Sequence, residues 1–217
     1  MTHSEENYLK AIYHLTVQLE AEVPTNAIAE MMETKASSVT DMLKKLADKA
    51  LINYIKYQGV SLTEKGTHAA KMIVRKHRLW EVFLVEKLAF TWDEVHDIAE
   101  QLEHIKSEQL INKLEDFLGN PTEDPHGDPI PDAQGKITKI EKLLLSELAE
   151  SETAICVGVK DSSADFLQYL NKQKIALGAV ITVLGRENFD ASLHLIINDT
   201  PLTVSSKIAG NLYVKRI

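Results

Sequence analysis

The chain has 217 residues, enough for one large domain or two to three small ones, and its 44% hydrophobic and 26% charged residues are ordinary for a globular protein. No apolar run approaches the roughly 20 residues that span a membrane, and the first ten residues lack the basic start and apolar core of a signal peptide. The single cysteine, Cys156, excludes an intrachain disulfide. We therefore expect a cytoplasmic protein with no membrane partner.

The net charge of −8 is unevenly distributed along the chain. Residues 34–80 hold ten lysines and arginines against three acidic residues, whereas residues 81–153 hold six against eighteen. A basic face is typical of proteins that contact phosphates. The acidic segment that follows suits the binding of cations.

The first third of the chain predicts three helices and a hairpin. Helical periodicity predicts a first helix over about 4–20, with Ser4 as its N-cap. A short second helix opens at Pro24, and a third begins at Ser37 or Ser38. A short turn between two such helices is typical of a helix-turn-helix.

Two short β-like runs follow, over 51–55 and 60–63, joined by a polar segment that contains a glycine. A hairpin after a helix-turn-helix predicts a winged helix with Lys56 and Tyr57 at the tip of the wing. A generic three-helix domain is the alternative. In a winged helix, the recognition helix and wing would offer a set of basic and hydroxyl side chains to DNA. These are Lys35, Ser37, Ser38, Thr40, Lys44, Lys45, Lys56 and Tyr57.

Two long amphipathic helices are predicted next, over about 65–88 and 93–118. The second has an apolar stripe wide enough for a partner helix, so we expect a dimer that binds palindromic double-stranded DNA. A proline-rich loop over 121–131 follows. From residue 153 onward β-like runs predict a small barrel-like domain. The predicted strands are 154–159, 179–184, 193–197 and 212–214, with one helix over 163–172.

Histidines and carboxylates cluster on the helix predicted over 93–118. His96, Glu100, Glu103 and His104 share an arc of roughly 100° on a helical wheel. A solvated charged face would look similar, but this arc adjoins the apolar stripe, where a partner element can complete a metal site. Such oxygen and imidazole ligands suit a divalent cation.

Other acidic and histidine residues form weaker patterns. His77 and Glu81 are four apart on the preceding helix, and with His96 they form a plausible second site, although a simple surface pair is the alternative. His126 lies near Asp124 in the proline-rich loop, where turn chemistry also explains an aspartate. Asp161 and Asp165 border the helix of the β domain and equally suit an N-cap and a first turn.

Taken in order, several strings resemble the diphtheria-toxin-repressor family of metal-dependent transcriptional regulators, and the resemblance covers nearly the whole chain. The strings are ENYLKAIY at 6–13, SSVT at 37–40, LTEKG at 62–66, RKHRLWE at 75–81, VHD at 95–97, LEH at 102–104 and PHGDPIP at 125–131. The resemblance implies a mainly α protein with a small β domain. Its parts would be a winged helix-turn-helix at 1–73, a helical metal-binding and dimerisation domain at 74–142 and an SH3-like, FeoA-like barrel at 150–217.

The resemblance also implies up to two metal sites per chain. A regulatory site would comprise Asn7, Glu100, Glu103 and His104. A second site would comprise His77, Glu81 and His96, with Asp161 or Asp165 from the third domain. In some manganese-type members, residues matching Asp124 and His126 also bind metal and share Glu81.

Two positions bear on the choice of metal. Members of the iron branch have a methionine pattern where this chain has Asn7, and members of the manganese branch have an aspartate. Glu100 matches the manganese branch, whereas the iron branch has cysteine there. Because the donors lack sulfur, we expect Mn²⁺, with Fe²⁺ as the alternative.

The resulting hypothesis is a regulator, most simply a repressor, that binds operator DNA when loaded with metal and controls genes of metal homeostasis. Two other classes of protein were weighed against it. A di-metal carboxylate enzyme needs inward Glu-x-x-His motifs on two helices, but the sole such motif, from Glu123 to His126, lies in the proline-rich loop. A winged-helix regulator that responds to an organic ligand or a partner protein is the second alternative. The sequence shows no arrangement of a nucleophile with a base and no phosphate-binding glycine loop, so we expect no catalytic activity.

Overall fold

The computed structural model describes residues 1–55, 59–138 and 141–217. The chain divides into two compact units. The first consists of Met1–His77, Glu100–Lys113 and Pro131–Ile137, and the second of Arg78–Ala99, Leu114–Ile130 and Thr138–Ile217. Three of the divisions fall within the helices that follow the predicted winged helix, and two fall in the segment after those helices.

The first unit contains the predicted helix-turn-helix and hairpin. Its elements are α1 (His3–Leu19), α2 (Thr25–Met31), α3 (Ala36–Asp48), β1 (Ile52–Ile55), β2 (Gly59–Leu62) and the first part of α4 (Glu64–Leu88). β1 and β2 pair antiparallel, from Ile52 opposite Leu62 to Ile55 opposite Gly59. The core includes Leu9, Ile12, Leu43 and Leu46, all fully buried. The winged-helix prediction is therefore confirmed, while the predicted wing tip at Lys56 and Tyr57 lies outside the described residues.

The first helix begins earlier than its sequence pattern suggested. Thr2, rather than Ser4, is the N-cap: its hydroxyl accepts a hydrogen bond from the backbone N–H of Glu5, and the Glu5 carboxylate accepts one from the backbone N–H of Thr2. This reciprocal capping box satisfies two N–H groups that a start at Ser4 would leave to solvent. Glu5 also pairs with Lys49, which ends α3.

The single helix predicted over 93–118 is in fact two helices. They are α5 (Val95–Leu102) and α6 (Glu108–Phe117). The backbone N–H of Ile105 bonds the carbonyl of Leu102 as a tight turn, and the Ser107 hydroxyl accepts from the N–H of Leu110 as a cap for α6. Glu103 and His104 therefore lie in a turn after α5, and the single helical wheel that placed four ligands on one arc was wrong.

The second unit is built on a six-stranded antiparallel sheet. Its strands are β3 (Leu143–Leu144), β4 (Thr153–Val159), β5 (Val180–Arg186), β6 (Leu193–Ile197), β7 (Thr200–Val204) and β8 (Leu212–Arg216). They pair in the order β3-β8-β4-β5-β6-β7. A 3₁₀ turn at Leu145–Glu147, α7 (Ala164–Lys172) and α8 (Ser206–Ala209) complete the region.

The strands predicted from sequence correspond to β4, β5, β6 and β8, and the predicted helix corresponds to α7, so the fold class is confirmed. The pattern missed β3 and β7. β7 contains Pro201, opposite Ile196 in β6, and it is the last strand in the pairing order, where a residue without an N–H is tolerated. Alternate residues of β4 and β6, such as Cys156 and Leu195, point into the core.

Within residues 1–55, 59–138 and 141–217, no helix combines the length and apolar content that a transmembrane span requires.

Candidate metal centres and DNA-binding surface

The first cluster of potential ligands lies in the first unit and consists of His77, Glu100 and Glu103. One ligand atom from each lies within 4.8 Å of the others. His77 is near the middle of α4, and its Nδ1 lies 2.7 Å from Oε2 of Glu103. Sequence analysis assigned His77 to a different site from Glu103, and the structure brings these two side chains together.

Lys10 of α1 joins the same cluster. Its Nζ donates to Oε1 of Glu100 and, over 2.7 Å, to Oε2 of Glu103. Burial alone would raise the pKa of the Glu103 carboxyl, but the hydrogen bond from His77 and the charge of Lys10 together hold that pKa below its usual value. Glu103 is therefore an ionised carboxylate with no exposed surface.

His104, the fourth predicted regulatory ligand, lies beside the cluster with partners of its own. Its Nδ1 is 2.6 Å from Oε2 of Glu6. Its ring also stacks on His3, with centroids 4.3 Å apart and planes 8° from parallel. Glu6 is buried as well.

Two buried oxygen atoms near this cluster have no hydrogen-bond partner among the described residues. They are Oδ1 of Asn7 and Oε1 of Glu103. Asn7 is three residues before Lys10, so both side chains leave the same face of α1. A buried oxygen without a partner costs about 1–3 kcal/mol, and a bound cation would satisfy it. The donors present, oxygen and imidazole without sulfur, therefore fit a hard or borderline divalent ion.

The second cluster lies in the second unit and consists of Glu81, Asp124 and His126. Ligand atoms of all three lie within 4.8 Å of one another, and all three residues are buried. Glu81 Oε2 is 3.6 Å from Nδ1 of His126, and Glu81 Oε1 is 3.6 Å from Nδ1 of His96. His96 is largely exposed, so it borders the cluster from the solvent side.

The proline-rich loop positions this cluster through its own turn chemistry. Asp124 Oδ1 accepts hydrogen bonds from the backbone N–H groups of His126, at 2.8 Å, and Asp128, at 3.0 Å. Arg78 Nε lies 3.3 Å from Oδ2 of the same aspartate. Gly127 has a φ of 80°, and a Cβ at that position would lie 1.9 Å from the carbonyl oxygen of Val157 in β4. The loop therefore requires glycine there.

The ionisable groups of the second cluster are buried close together, and this shifts their pKa values. Burial alone would lower the pKa of His126, but Glu81, the charge of Asp124 and the carbonyl of Trp92 together raise it to about 9. Burial and the neighbouring charge of Glu81 raise the pKa of Asp124 to about 6, against the opposing effect of Arg78. These carboxylates share a site that a positive charge stabilises.

The remaining predicted ligands, Asp161 and Asp165, lie in the second unit next to α7. Asp161 Oδ1 accepts a hydrogen bond of 2.9 Å from the backbone N–H of Ser163, and this bond lowers the pKa of the aspartate. Asp165 is exposed in the first turn of α7. Among the described residues, neither belongs to a cluster of three potential ligands.

Six of the predicted DNA-contacting residues lie on α3 and at its start, and the other two, Lys56 and Tyr57, lie outside the described residues. Lys35, Ser37, Ser38, Lys44 and Lys45 are exposed. Thr40 is half-buried, and its hydroxyl donates to the carbonyl of Ala36 within the helix, while Lys44 lies 3.3 Å from Asp41. Among these predicted residues, Lys35 and Lys45 are therefore exposed cations available to phosphate.

Sequence analysis missed four groups that contact the clusters. Lys10 and Glu6 contact the first cluster or His104, and Arg78 and the backbone carbonyl of Trp92 contact the second. Lys10, at three residues from Asn7, could have been found from helical spacing alone. The hydrogen bond between the Trp92 carbonyl and His126 could not be predicted from the sequence.

The geometry of a winged-helix DNA reader with carboxylate–imidazole clusters defines the class of metal-responsive transcriptional regulators. Three family models match successive parts of the chain. They are the N-terminal DNA binding domain of the iron dependent repressor over residues 1–60, the metal binding and dimerisation domain of the iron dependent repressor over residues 63–132, and the FeoA domain over residues 143–216.

Relatives and solved structures agree with this class. An uncharacterized HTH-type transcriptional regulator of Methanocaldococcus jannaschii is 36% identical over 118 residues, 54% of this chain and 94% of that protein. The HTH-type transcriptional regulator MntR of Oceanobacillus iheyensis is 34% identical over 117 residues, 54% of this chain and 78% of that protein.

A solved manganese-dependent transcriptional repressor in complex with manganese is 33% identical, with a TM-score of 0.83 over 98% of this chain and all of that one. The chain therefore belongs to the iron-dependent repressor family, also described as the diphtheria-toxin-repressor family. It is a metal-dependent DNA-binding regulator with a dimerisation region, and it is not an enzyme. The family resemblance is confirmed, and the alternative of an organic effector is not favoured.

Proposed function

We propose that this chain is a repressor activated by Mn²⁺, with Fe²⁺ as the second choice, and that it holds up to two ions per chain. The ions would be held by Asn7, His77, Glu100, Glu103 and His104 at the first cluster, and by Glu81, Asp124 and His126, bordered by His96, at the second. The observation that carries the proposal is the pair of buried, unpartnered oxygens on Asn7 and Glu103 beside the first cluster.

A bound ion at the first cluster supplies positive charge that ligands from different elements share. Asn7 belongs to α1, which packs in the core of the winged helix, whereas Glu100 and Glu103 belong to α5 and the turn that follows it. The ligands therefore link the DNA-reading region to the helical region. Ligation favours the arrangement in which both sets of donors are within reach, and it shifts the population only by the difference in affinity.

Several observations support manganese over a softer metal. The donors of both clusters are carboxylates, an amide and imidazoles, and the one cysteine, Cys156, is buried in the core of the second unit. Burial raises the pKa of its thiol to about 11, so it is a poor ligand. The neutral amide of Asn7 gives the first cluster one negative charge fewer than an aspartate would.

We further propose that a homodimer binds a palindromic operator, that the regulated genes serve metal homeostasis, and that the protein acts in the cytoplasm beside its DNA. The exposed lysines of α3 and a family match to a dimerisation domain support the first point. In this proposal, Asp161 and Asp165 stay secondary candidates for the second cluster.

Fluorescence anisotropy on a labelled palindromic operator tests the proposal. With the full chain, we expect operator affinity to increase when Mn²⁺ is added and to fall back when excess chelator is added. Glu100→Gln, which keeps the size of the side chain and removes a charge, should require more Mn²⁺ for the same binding. Equal operator affinity with Mn²⁺ and with chelator would refute the proposal.

Isothermal titration addresses the number of ions. The full chain should bind two Mn²⁺ per chain and His126→Ala one. The matched control is His194→Ala, because His194 lies in the same unit, pairs with Glu187 and belongs to none of the ligand clusters among the described residues. A stoichiometry that His126→Ala leaves unchanged would exclude the second cluster as a metal centre.

A further inference from the structure

Lys10 is a buried cation in direct contact with two candidate metal ligands. Its ammonium bonds Oε1 of Glu100 and Oε2 of Glu103, and only 11% of its side chain is exposed. Burying an ammonium is costly unless carboxylates compensate its charge. Lys10 thus depends on the same oxygens that would ligate a metal ion.

We infer that Lys10 is an internal competitor of the metal at the first cluster: its ammonium must leave the Glu100 and Glu103 carboxylates when an ion binds, so this lysine sets the metal concentration at which the regulator is loaded. The inference rests on the proposed function of the first cluster and adds a residue that is not itself a ligand.

The distribution of bonds around Glu103 supports this competition. Its Oε2 is shared by Lys10 and His77, whereas its Oε1 is buried and has no hydrogen-bond partner in the described part of the chain. The Asn7 oxygen, three residues from Lys10 on α1, is also without a partner. The ammonium therefore neutralises the same two carboxylates whose charge an ion would need, while the oxygens that would draw an ion into the cluster stay unsatisfied.

Charge explains why the ammonium and a divalent ion exclude each other. Two cations that share one carboxylate oxygen in a buried site repel strongly, because little solvent screens them. Lysine has a flexible four-carbon stem, so its head group can move away while the stem stays packed. Displacement thus requires no change in the backbone of α1.

The same unit contains a second lysine–glutamate ion pair, which does not involve the candidate metal ligands. Lys49 Nζ lies 2.6 and 2.7 Å from the two carboxylate oxygens of Glu5, which is buried. Glu5 belongs to none of the ligand clusters among the described residues. Lys49→Met therefore removes a lysine–glutamate ion pair, although a more exposed one, without altering the competition for metal.

The test measures the Mn²⁺ affinity of the full chain by competition with a chelating dye. Lys10→Met should tighten binding at the first cluster by roughly tenfold or more, since a charge-assisted bond no longer has to be broken. Lys49→Met should bind like the wild type. Unchanged or weaker binding by Lys10→Met would overturn the inference and assign Lys10 a supporting role.

A second measurement uses the wild-type chain and does not depend on a variant that folds. Reductive methylation, followed by mass spectrometry, reports how accessible each lysine ammonium is. Saturating Mn²⁺ should speed methylation of Lys10 relative to Lys49. A rate for Lys10 that Mn²⁺ leaves unchanged or slows would contradict displacement.

The two ideas fail separately. If the wild-type chain binds no Mn²⁺ and Glu100→Gln alters nothing, the proposed metal centre is wrong. If the wild type binds Mn²⁺ and Glu100→Gln weakens it, but Lys10→Met does not tighten it, the metal centre stands and the role inferred for Lys10 is wrong.

Discussion

The Nε2 atom of His126 lies 2.8 Å from the backbone carbonyl oxygen of Trp92. Because a carbonyl only accepts hydrogen bonds, Nε2 carries the proton and Nδ1 is the atom that faces Glu81. A histidine that donates one ring N–H to a carbonyl and presents its other nitrogen to carboxylates is oriented as metal-binding histidines are. This relationship separates the second cluster from a chance group of buried charges.

The raised pKa of His126 predicts how the stability of the chelator-treated protein depends on pH. The folded value of about 9 exceeds the ordinary 6.5, so the protonated ring stabilises the fold. That contribution, at most about 3 kcal/mol, is complete below pH 6.5 and is lost as the pH rises through 9. Urea denaturation at about pH 6.5 and above pH 9 should show that the free energy of unfolding decreases with pH. His126→Gln should make that decrease smaller. A wild-type free energy of unfolding that is flat over this range would contradict the assignment.

The raised pKa of Asp124 acts in the same direction in a lower range. Its value of about 6, against an ordinary 3.8, makes the neutral carboxyl the favoured form in the fold, so its contribution is lost between those two pH values. Mn²⁺ should restore stability most at high pH, because ligation requires deprotonated carboxylates and a free imidazole nitrogen. Thermal denaturation with and without Mn²⁺ at pH 6 and pH 9 measures this difference.

Asn7→Asp should tighten Mn²⁺ binding at the first cluster. It places a charge where the wild type has a buried amide oxygen without a partner, and we expect about a tenfold gain in affinity, on the order of 1.4 kcal/mol. The control is Asn26→Asp, which adds the same charge at an exposed position of α2. Chelator competition on both variants measures the effect. A gain of equal size in Asn26→Asp would show that net charge, rather than ligation, is responsible.

Lys35 and Lys45 should contribute to operator affinity without affecting metal affinity. Each Lys→Ala change should weaken binding and lower the slope of log affinity against log salt by about one, as expected when a phosphate contact is lost. Thr40→Val should have a smaller effect, because its hydroxyl already bonds Ala36. Lys172→Ala, an exposed lysine of α7, is the control for charge alone. An unchanged salt slope in both α3 variants would place the DNA contacts elsewhere.

Gly127→Ala should destabilise the second unit far more than Gly119→Ala. Both glycines have a φ near 80°, so each change carries the left-handed backbone penalty of about 1 kcal/mol. Only at Gly127 would the added Cβ also meet a backbone oxygen, 1.9 Å away, whereas nothing lies within 4 Å of the corresponding position at Gly119. Urea denaturation should separate the two by at least about 2 kcal/mol. Equal losses of stability in the two variants would mean that the proline-rich loop moves to accommodate the Cβ at position 127 without losing free energy of unfolding.

The sequence predicted most of the fold because the relevant signals are local. Alternating strands such as β6 and the helical periodicity of α7 depend on neighbouring residues only. The break between α5 and α6 was missed because Ser107 is a weak stop signal inside an otherwise helical pattern. β7 was missed because Pro201 argues against a strand unless its place at the end of the sheet is known.

The candidate site was predicted in its residue types and in part of its grouping, since Glu100 was placed with Glu103 and Glu81 with His126. His77, Glu103 and His126 were found as ligand candidates, but the grouping of His77 with Glu103 depends on how α4 meets the turn after α5. The contacts of Lys10 depend on tertiary structure in the same way, since about 90 residues separate it from its partners. Local patterns carry no information about such contacts.

Pro201 also has a consequence for how the protein behaves at high concentration. β7 ends the row of paired strands, and a strand in that position normally offers a template on which another polypeptide can add through backbone bonds. A proline interrupts that template, because it lacks a donor and holds its φ rigid. Pro201 therefore hinders the addition of further strands at this edge of the sheet. Chains that associate on this side would do so through side-chain contacts, which depend on the particular residues present.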